Sequence, residues 1–169
     1  TVEDPVEYVF PGINQVQTNA KAGLTFATGL KALLRQDPDT ILVGEIRDVD
    51  TARIAIQSAL TGHFVLSSLH GTDAVAALHR LLDMGIEAFL VASAIVGVVS
   101  QRLLRKMCDN CKEPYTPGAE ELAVFRQHSG GSDKTVFYHG KGCSYCSNTG
   151  YRDRIGVYEL LRITPEVRR

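Results

Sequence analysis

The sequence contains no Trp, only 2 Met and 7% aromatic residues. A surface that grips nucleic acid by stacking bases on rings needs more of them than this. Neither sign of charge dominates: 18 Lys plus Arg stand against 19 Asp plus Glu, a formal net charge of -1. No global positive field therefore draws the chain onto nucleic acid or anionic lipid. Long hydrophobic runs are missing too. The longest, Ala88 to Val99, is broken by Ser93 and Gly97 and falls short of the roughly 18 to 20 residues that span a bilayer. No basic stretch followed by an apolar one opens the chain, so no secretory signal is visible and a cytoplasmic setting is the default. Internal repeats and low-complexity tracts are absent.

What is present is 169 residues with 44% hydrophobic and 22% charged side chains, enough for one ordinary core and a small appended module. That composition excludes a disordered tail. The chain opens at Thr1 in a segment that reads as the end of a strand. It stops at Arg168-Arg169 after a strand-like run, and is expected to be a piece of a longer polypeptide.

The hydrophobic spacing predicts a helix over 25–36, with Phe26, Ala27, Leu30, Leu33 and Leu34 on one face, Thr25 as N-cap and Pro38 beyond its end. Thr40 to Gly44 lacks polar alternation and reads as a strand covered on both faces. A second helix starts near Asp48 or Asp50 and buries Ala52, Ala55, Ile56, Ala59 and Leu60, with Gly62 as its left-handed stop. His63 to Leu69 reads as another buried strand. A third helix from Asp73 presents Val75, Leu78 and Leu82 and ends near Gly85; a long apolar helix follows from about Glu87 to Lys106. Helix, strand, helix, strand, helix is the pattern of an α/β layer with a parallel sheet, in which ligands lie beyond the carboxyl ends of the strands. After Lys106 the composition turns to Cys, Asn, Gly, Pro and Lys, with a polar stretch over 127–134, so residues 107–150 are expected to form a separate loop-rich module. The run Ile155 to Leu161 reads as a strand returning to the main body.

The 4 cysteines fall in two C-x-x-C pairs, Cys108/Cys111 and Cys143/Cys146, separated by 31 residues. Two such pairs supply the four thiolates of a closed, structural tetrahedral zinc site, with Gly142 and Asn110 suited to the tight turns. Redox dithiols, an iron–sulfur site or two disulfides are the alternatives, and a reducing compartment weighs against the disulfides. Lys106, Lys112, Lys141 and Arg152 surround the pairs. That basic rim fits either a solvated clip or a zinc ribbon that binds nucleic acid.

Three polar segments are expected to converge at the carboxyl edge of the sheet. Thr1-Val2-Glu3-Asp4-Pro5-Val6-Glu7 places carboxylates after a strand, where an oxygen-preferring cation such as magnesium could be held. Ile41-Leu42-Val43-Gly44-Glu45-Ile46-Arg47 sets a carboxylate suited to orient or deprotonate a water beside a guanidinium suited to phosphate charge. Thr61-Gly62-His63 through Ser67-Ser68-Leu69-His70 brackets a strand with two histidines, of which the terminal Ser68 and His70 are better placed to sense a ligand. His79, His128 and His139 carry no assigned role.

The order TVEDPVEY, LLRQDPDTILVGEIRD, TGHFVLSSLHGTDA, QRLLRKMCDNC and GCSYCSNTGYRDRIGVYELL resembles the hexameric ATPases that power type II secretion and assemble type IV pili. The resemblance covers nearly all of the chain. It implies a partial RecA-like P-loop NTPase core with an inserted tetracysteine zinc-binding module. The core would be residues 1–106, the zinc module 107–150, and the return strand with the start of carboxyl-terminal helices 151–169.

It also implies ATP with Mg2+ and structural Zn2+ as cofactors. Glu3 and Glu7 would be acidic-box carboxylates near magnesium and the attacking water, and Glu45 the Walker B catalytic glutamate. His63 and His70 would be histidine-box residues coupling the γ-phosphate to movement, with Arg47 in the same nucleotide-facing layer. The implied partners are five further copies in a homohexamer, an inner-membrane platform protein and a cytoplasmic-domain adaptor of the same machine, without nucleic acid, at the cytoplasmic face of a bacterial inner membrane. One departure is large: no G-x-x-x-x-G-K-[ST] occurs in these residues. Backbone N–H groups and a Lys that would cradle phosphates are not among them, so the chain alone is expected to be inactive toward ATP. A P-loop-less scaffold and a zinc-ribbon nucleic-acid binder are the alternatives.

Overall fold

A computed structural model describes residues 1–132 and 134–168; Asp133, inside the polar stretch 127–134, and Arg169, the end of the third expected segment, lie outside the described residues. The chain forms two compact units, one of Thr1–Ser100 with Tyr158–Arg169 and one of Gln101–Val157.

In the first unit, four parallel strands stand in the order β2-β1-β3-β4: β1 (Val2–Glu3), β2 (Val16–Gln17), β3 (Thr40–Val43) and β4 (Phe64–Ser67). Their register places Val2 opposite both Val16 and Val43, and Val43 opposite Ser67. Helix α1 (Phe26–Leu33) begins where Thr25 accepts from the Thr28 N–H and the Thr28 hydroxyl accepts from the Thr25 N–H, a reciprocal cap. Helix α2 (Val49–Leu60) is capped by Asp48, whose two oxygens take the N–H and hydroxyl of Thr51. The core joins Val2, Leu30, Ile41, Val43, Ala52, Ile56, Leu81 and Val91. Gly62 and Gly85, at φ +103° and +81°, turn the chain out of α2 and of α3 (Ala74–Asp83).

Three expectations are corrected. The strands are not covered on both faces: Ile41 and Val43 are buried, but Phe64 and Leu66 remain exposed. Ile41 and Val43 pack into the core with helix residues, while Leu42, pointing the other way, is only half-buried. The buried stripe of α3 is Ala74, Ala77 and Leu81, leaving Val75 and Leu82 exposed, as is Leu60 of α2. The long helix from Glu87 to Lys106 does not exist. Helix α4 spans Ala88–Ala94, Ile95 leaves the helical region at ψ 129°, and β5 runs over Gly97–Met107. Val96, Val98 and Val99 with Gly97 favour extended backbone, and β8 (Tyr151–Arg162) supplies the ladder partner that apolar spacing alone could not reveal. Ile163 donates to the Val96 carbonyl at 3.0 Å, and Cys108 donates to the Gly150 carbonyl at 3.0 Å, so this pair runs antiparallel.

The second unit holds β6 (Lys112–Tyr115) and β7 (Phe137–Gly140), an antiparallel pair, and helix α5 (Ala119–His128), in a stretch expected to be loop-rich. Glu121 accepts from the Gly118 N–H at 3.0 Å, and Glu120 and Glu121 at the start with Arg126 and His128 at the end complement the helix dipole. Phe125 packs edge-on to Phe137 at 5.0 Å.

Candidate functional site

Because β1, β3 and β4 run parallel, the loops that leave their carboxyl ends share one edge of the sheet. Short hydrogen bonds knit these loops together. Gly44 donates to the Val2 carbonyl at 2.8 Å, and Ile46 donates to that of Ser68 at 3.0 Å. The Ser67 and Ser68 hydroxyls donate to the carbonyls of Val43 and Gly44 at 2.8 and 2.7 Å.

On this frame sits a cluster of four ionisable side chains. Glu45 Oε1 lies 2.5 Å from Arg47 Nη2, Glu45 Oε2 lies 3.5 Å from His70 Nε2, and Arg47 Nη1 lies 3.6 Å from Asp4 Oδ2. The hydrogen bond from Arg47 holds the Glu45 carboxyl below the usual range; burial opposes it, and the charges of Arg47 and His70 add to it. The same contact with Glu45 raises Arg47. The Glu45 side chain is 17% exposed while that of His70 is 94% exposed. An ionised, half-enclosed carboxylate can orient or deprotonate a water, and the exposed guanidinium can meet an anion.

Glu3 lies on the strand next to Glu45 and accepts from Gln15 Nε2 at 3.0 Å and from the Thr1 hydroxyl. Those two hydrogen bonds, Gln15 first, hold its carboxyl low against a smaller effect of burial. Gln15 also receives the Phe10 N–H and donates to the Tyr8 carbonyl, at 2.8 and 2.9 Å, fixing the loop that carries Glu7. Glu7 is exposed, and the structure does not bring it to the cluster through any described contact. His63 is not brought there either. It stands at the amino end of β4, with Nδ1 3.1 Å from the Ser58 carbonyl, whereas His70 follows the carboxyl end. Asp4, expected only as one carboxylate of the acidic segment, had no role of its own in the sequence, yet it pairs with Arg47. Its signal was its place: it follows β1 as Glu45 follows β3.

In the second unit, Cys108, Cys111, Cys143 and Cys146 bring their Sγ atoms within 4.8 Å of one another, and all four are free thiols. Sulfur separations are 3.9 Å for Cys108–Cys143, 3.8 Å for Cys111–Cys146 and 3.7 Å for Cys143–Cys146. A tetrahedron with metal–sulfur bonds of about 2.3 Å has edges of about 3.8 Å, so the donor set fits a tetrahedral thiolate-bound ion. Burial pushes Cys111 up to about 12, against one backbone hydrogen bond. Burial also acts on Cys146, but the N–H groups of Cys143 and Gly150 outweigh it and bring this thiol to about 6.

A family model described as type II/IV secretion system protein matches residues 1–169. The chain belongs to this family. It is 52% identical over 168 residues to the type II secretion system protein E of Dickeya dadantii, covering 99% of this chain and 33% of that protein. It is 50% identical over 168 residues to the type IV pilus assembly ATPase PilB of Thermus thermophilus, covering 99% of this chain and 19% of that one. The chain thus spans a third or less of the length of these relatives. Among solved structures, the pilus retraction motor PilT with bound ADP superposes at TM-score 0.66 and 29% identity over 99% of this chain and 39% of that one. The Legionella pneumophila ATPase DotB matches in fold, at TM-score 0.62 and 23% identity over 99% of this chain and 37% of that one. The α/β, RecA-like reading of the fold stands, with a tetracysteine cluster added to it.

Proposed function

We propose that this chain is the carboxyl-terminal part of a motor ATPase subunit that couples ATP hydrolysis, in a ring of six copies, to protein secretion or pilus assembly. The observation that carries the reading is the convergence of Glu45, Arg47, Asp4 and His70 at the carboxyl edge of a parallel sheet, in a chain whose relatives are secretion and pilus ATPases. Residues 1–106 form the catalytic segment, 107–150 the metal-binding module, and 151–169 the return strand and the lead into carboxyl-terminal helices. No membrane-crossing helix occurs among the described residues, and force is passed to an inner-membrane platform protein and a cytoplasmic-domain adaptor from the cytoplasmic side.

Bound ATP with Mg2+ would supply the scissile phosphoanhydride and the metal that neutralises it. Glu45 holds the attacking water and takes its proton at a carboxylate oxygen. Arg47, exposed on one side, offers its guanidinium to phosphate charge, and the exposed His70 imidazole stands beside Glu45 to sense it. Glu3 and Glu7 lie on the acidic segment toward the cation. His63, the remaining histidine-box residue that couples the γ-phosphate to movement, stands at the opposite end of β4, with Nδ1 3.1 Å from the Ser58 carbonyl. Cys108, Cys111, Cys143 and Cys146 hold structural zinc, which leaves no open position for chemistry. The chain alone is inactive because it carries no phosphate-cradling G-x-x-x-x-G-K-[ST].

The test is steady-state ATP turnover of the longer polypeptide that contains this chain. Glu45→Gln is expected to lower kcat by at least about 100-fold, the usual scale for loss of a general base. Unchanged turnover in that variant overturns the reading.

A further inference from the structure

Glu159, in β8, is used by nothing described so far, yet it reaches the loop that carries His70. Its Oε2 accepts the backbone N–H of Ala74, the first residue of α3, at 3.1 Å, across 85 positions of sequence. Asp73 accepts the Ala76 N–H of the same turn at 2.7 Å. Two otherwise orphan donors at the start of α3 are therefore held by carboxylates, one local and one from a distant strand.

The connection from that turn back to His70 is short and tight. Only Gly71, Thr72 and Asp73 intervene. A Cβ on Gly71 would stand 3.3 Å from the Ala77 N and 3.5 Å from the Asp73 carbonyl oxygen, so the link lies flat on the first turn of the helix. Ala74 itself is fully buried, which fixes that turn against the core. On the other side, β8 is anchored where Gly97 lets the Leu161 carbonyl approach to 3.2 Å of its would-be Cβ and Ile163 bonds to Val96. His70 is 94% exposed, with its Glu45 contact at 3.5 Å as the described polar contact of its ring. Its position is therefore set mainly by its backbone, and that backbone is fixed from the α3 side.

We propose that Glu159 is a positioning residue for His70: it clamps the start of α3 and thereby sets where the imidazole stands relative to Glu45. This rests on the reading of the Glu45 cluster as an ATP-hydrolysing site. Glu159 itself touches none of the reacting groups. What it supplies is a hydrogen-bond acceptor at the right reach. Its charge is incidental to that role, so Gln should replace it and Met should not.

The test is a double-mutant cycle in the longer ATPase polypeptide, with Glu159→Met, Glu159→Gln, His70→Ala and the double variant Glu159→Met with His70→Ala. Glu159→Met is expected to lower kcat about 10-fold with KM changed less than 2-fold, and Glu159→Gln to restore at least half of the lost kcat. In the His70→Ala background, Glu159→Met is expected to cost nothing further, because its effect passes through the residue already removed.

Full additivity of the two losses overturns the proposal, as does an unchanged kcat in Glu159→Met. If Glu159→Met fails to fold, Glu159→Gln and Glu159→Asp are compared instead: Gln keeps the reach and Asp is one methylene short. Equal kcat in those two overturns the proposal. Failure of the underlying reading looks different, since Glu45→Gln and His70→Ala would then both retain turnover.

Discussion

Gly44 sits at the junction of the sheet and the site, and Gly44→Ala tests how tightly β1 is held against β3. Its N–H donates to the Val2 carbonyl at 2.8 Å. A Cβ there would stand 3.2 Å from the Val2 carbonyl oxygen, 3.3 Å from the Glu3 Cα and 3.6 Å from a ring carbon of Phe26. The first two are backbone atoms of a strand whose Val2 is wholly buried, so neither can rotate away. Gly44 does not have the positive φ of Gly62 or Gly85, and Ala meets no dihedral strain.

Two opposing effects then decide the sign. Restricting the unfolded chain favours Ala by about 0.4–1 kcal/mol. Crowding a well-packed interior costs about 1–3 kcal/mol. The net expectation is a loss of roughly 1–2 kcal/mol, and with a urea slope of roughly 2 kcal/mol/M the midpoint falls by about 0.5–1 M. Urea unfolding followed by far-ultraviolet circular dichroism reads it directly. An unchanged or raised midpoint would refute the reasoning, because it would mean that β1 yields at no cost and that Glu3 is not held rigidly beside Glu45.

Three further outcomes are expected. A Cβ at Gly140 would lie 2.1 Å from the Gly150 carbonyl oxygen, and Gly150 donates to Cys146 Sγ and accepts from Cys108; if the four thiolates hold zinc as proposed, Gly140→Ala should lose it, which atomic absorption measures per chain. Chelation of the wild type should likewise expose residues 101–157 to protease, and undiminished zinc in Gly140→Ala would contradict the packing argument. The folded Glu45 carboxyl lies below its ordinary 4.5, chiefly through the Arg47 hydrogen bond, so its contribution is fully present above pH 4.5 and is lost as pH falls through the lower folded value. The stability gap between wild type and Glu45→Gln should close with acid over that window, and a gap constant with pH would show that Glu45 is not held low.

The sequence by itself determined the local features: the Thr25 cap, a helix start at Asp48 or Asp50, the glycine stops at 62 and 85, the short apolar strands, and two C-x-x-C pairs whose spacing lets four thiolates meet. Each depends on contacts within a few residues, or on a donor set whose paired spacing lets the sulfurs meet. Strand polarity did the same for Glu45 and His70, because parallel strands deliver their carboxyl ends to one edge. Tertiary structure decided the rest. Whether the apolar run after Ala94 continued as helix depended on β8, whose Ile163 bonds to Val96 from a remote part of the sequence. Which stripe of α3 faced the core depended on what lay beneath it, and the exposure of Phe64 and Leu66 depended on which face the helices covered. The pairing of Asp4 with Arg47 and the reach of Glu159 to Ala74 join segments remote in sequence, and only the folded chain brings such groups within hydrogen-bonding distance.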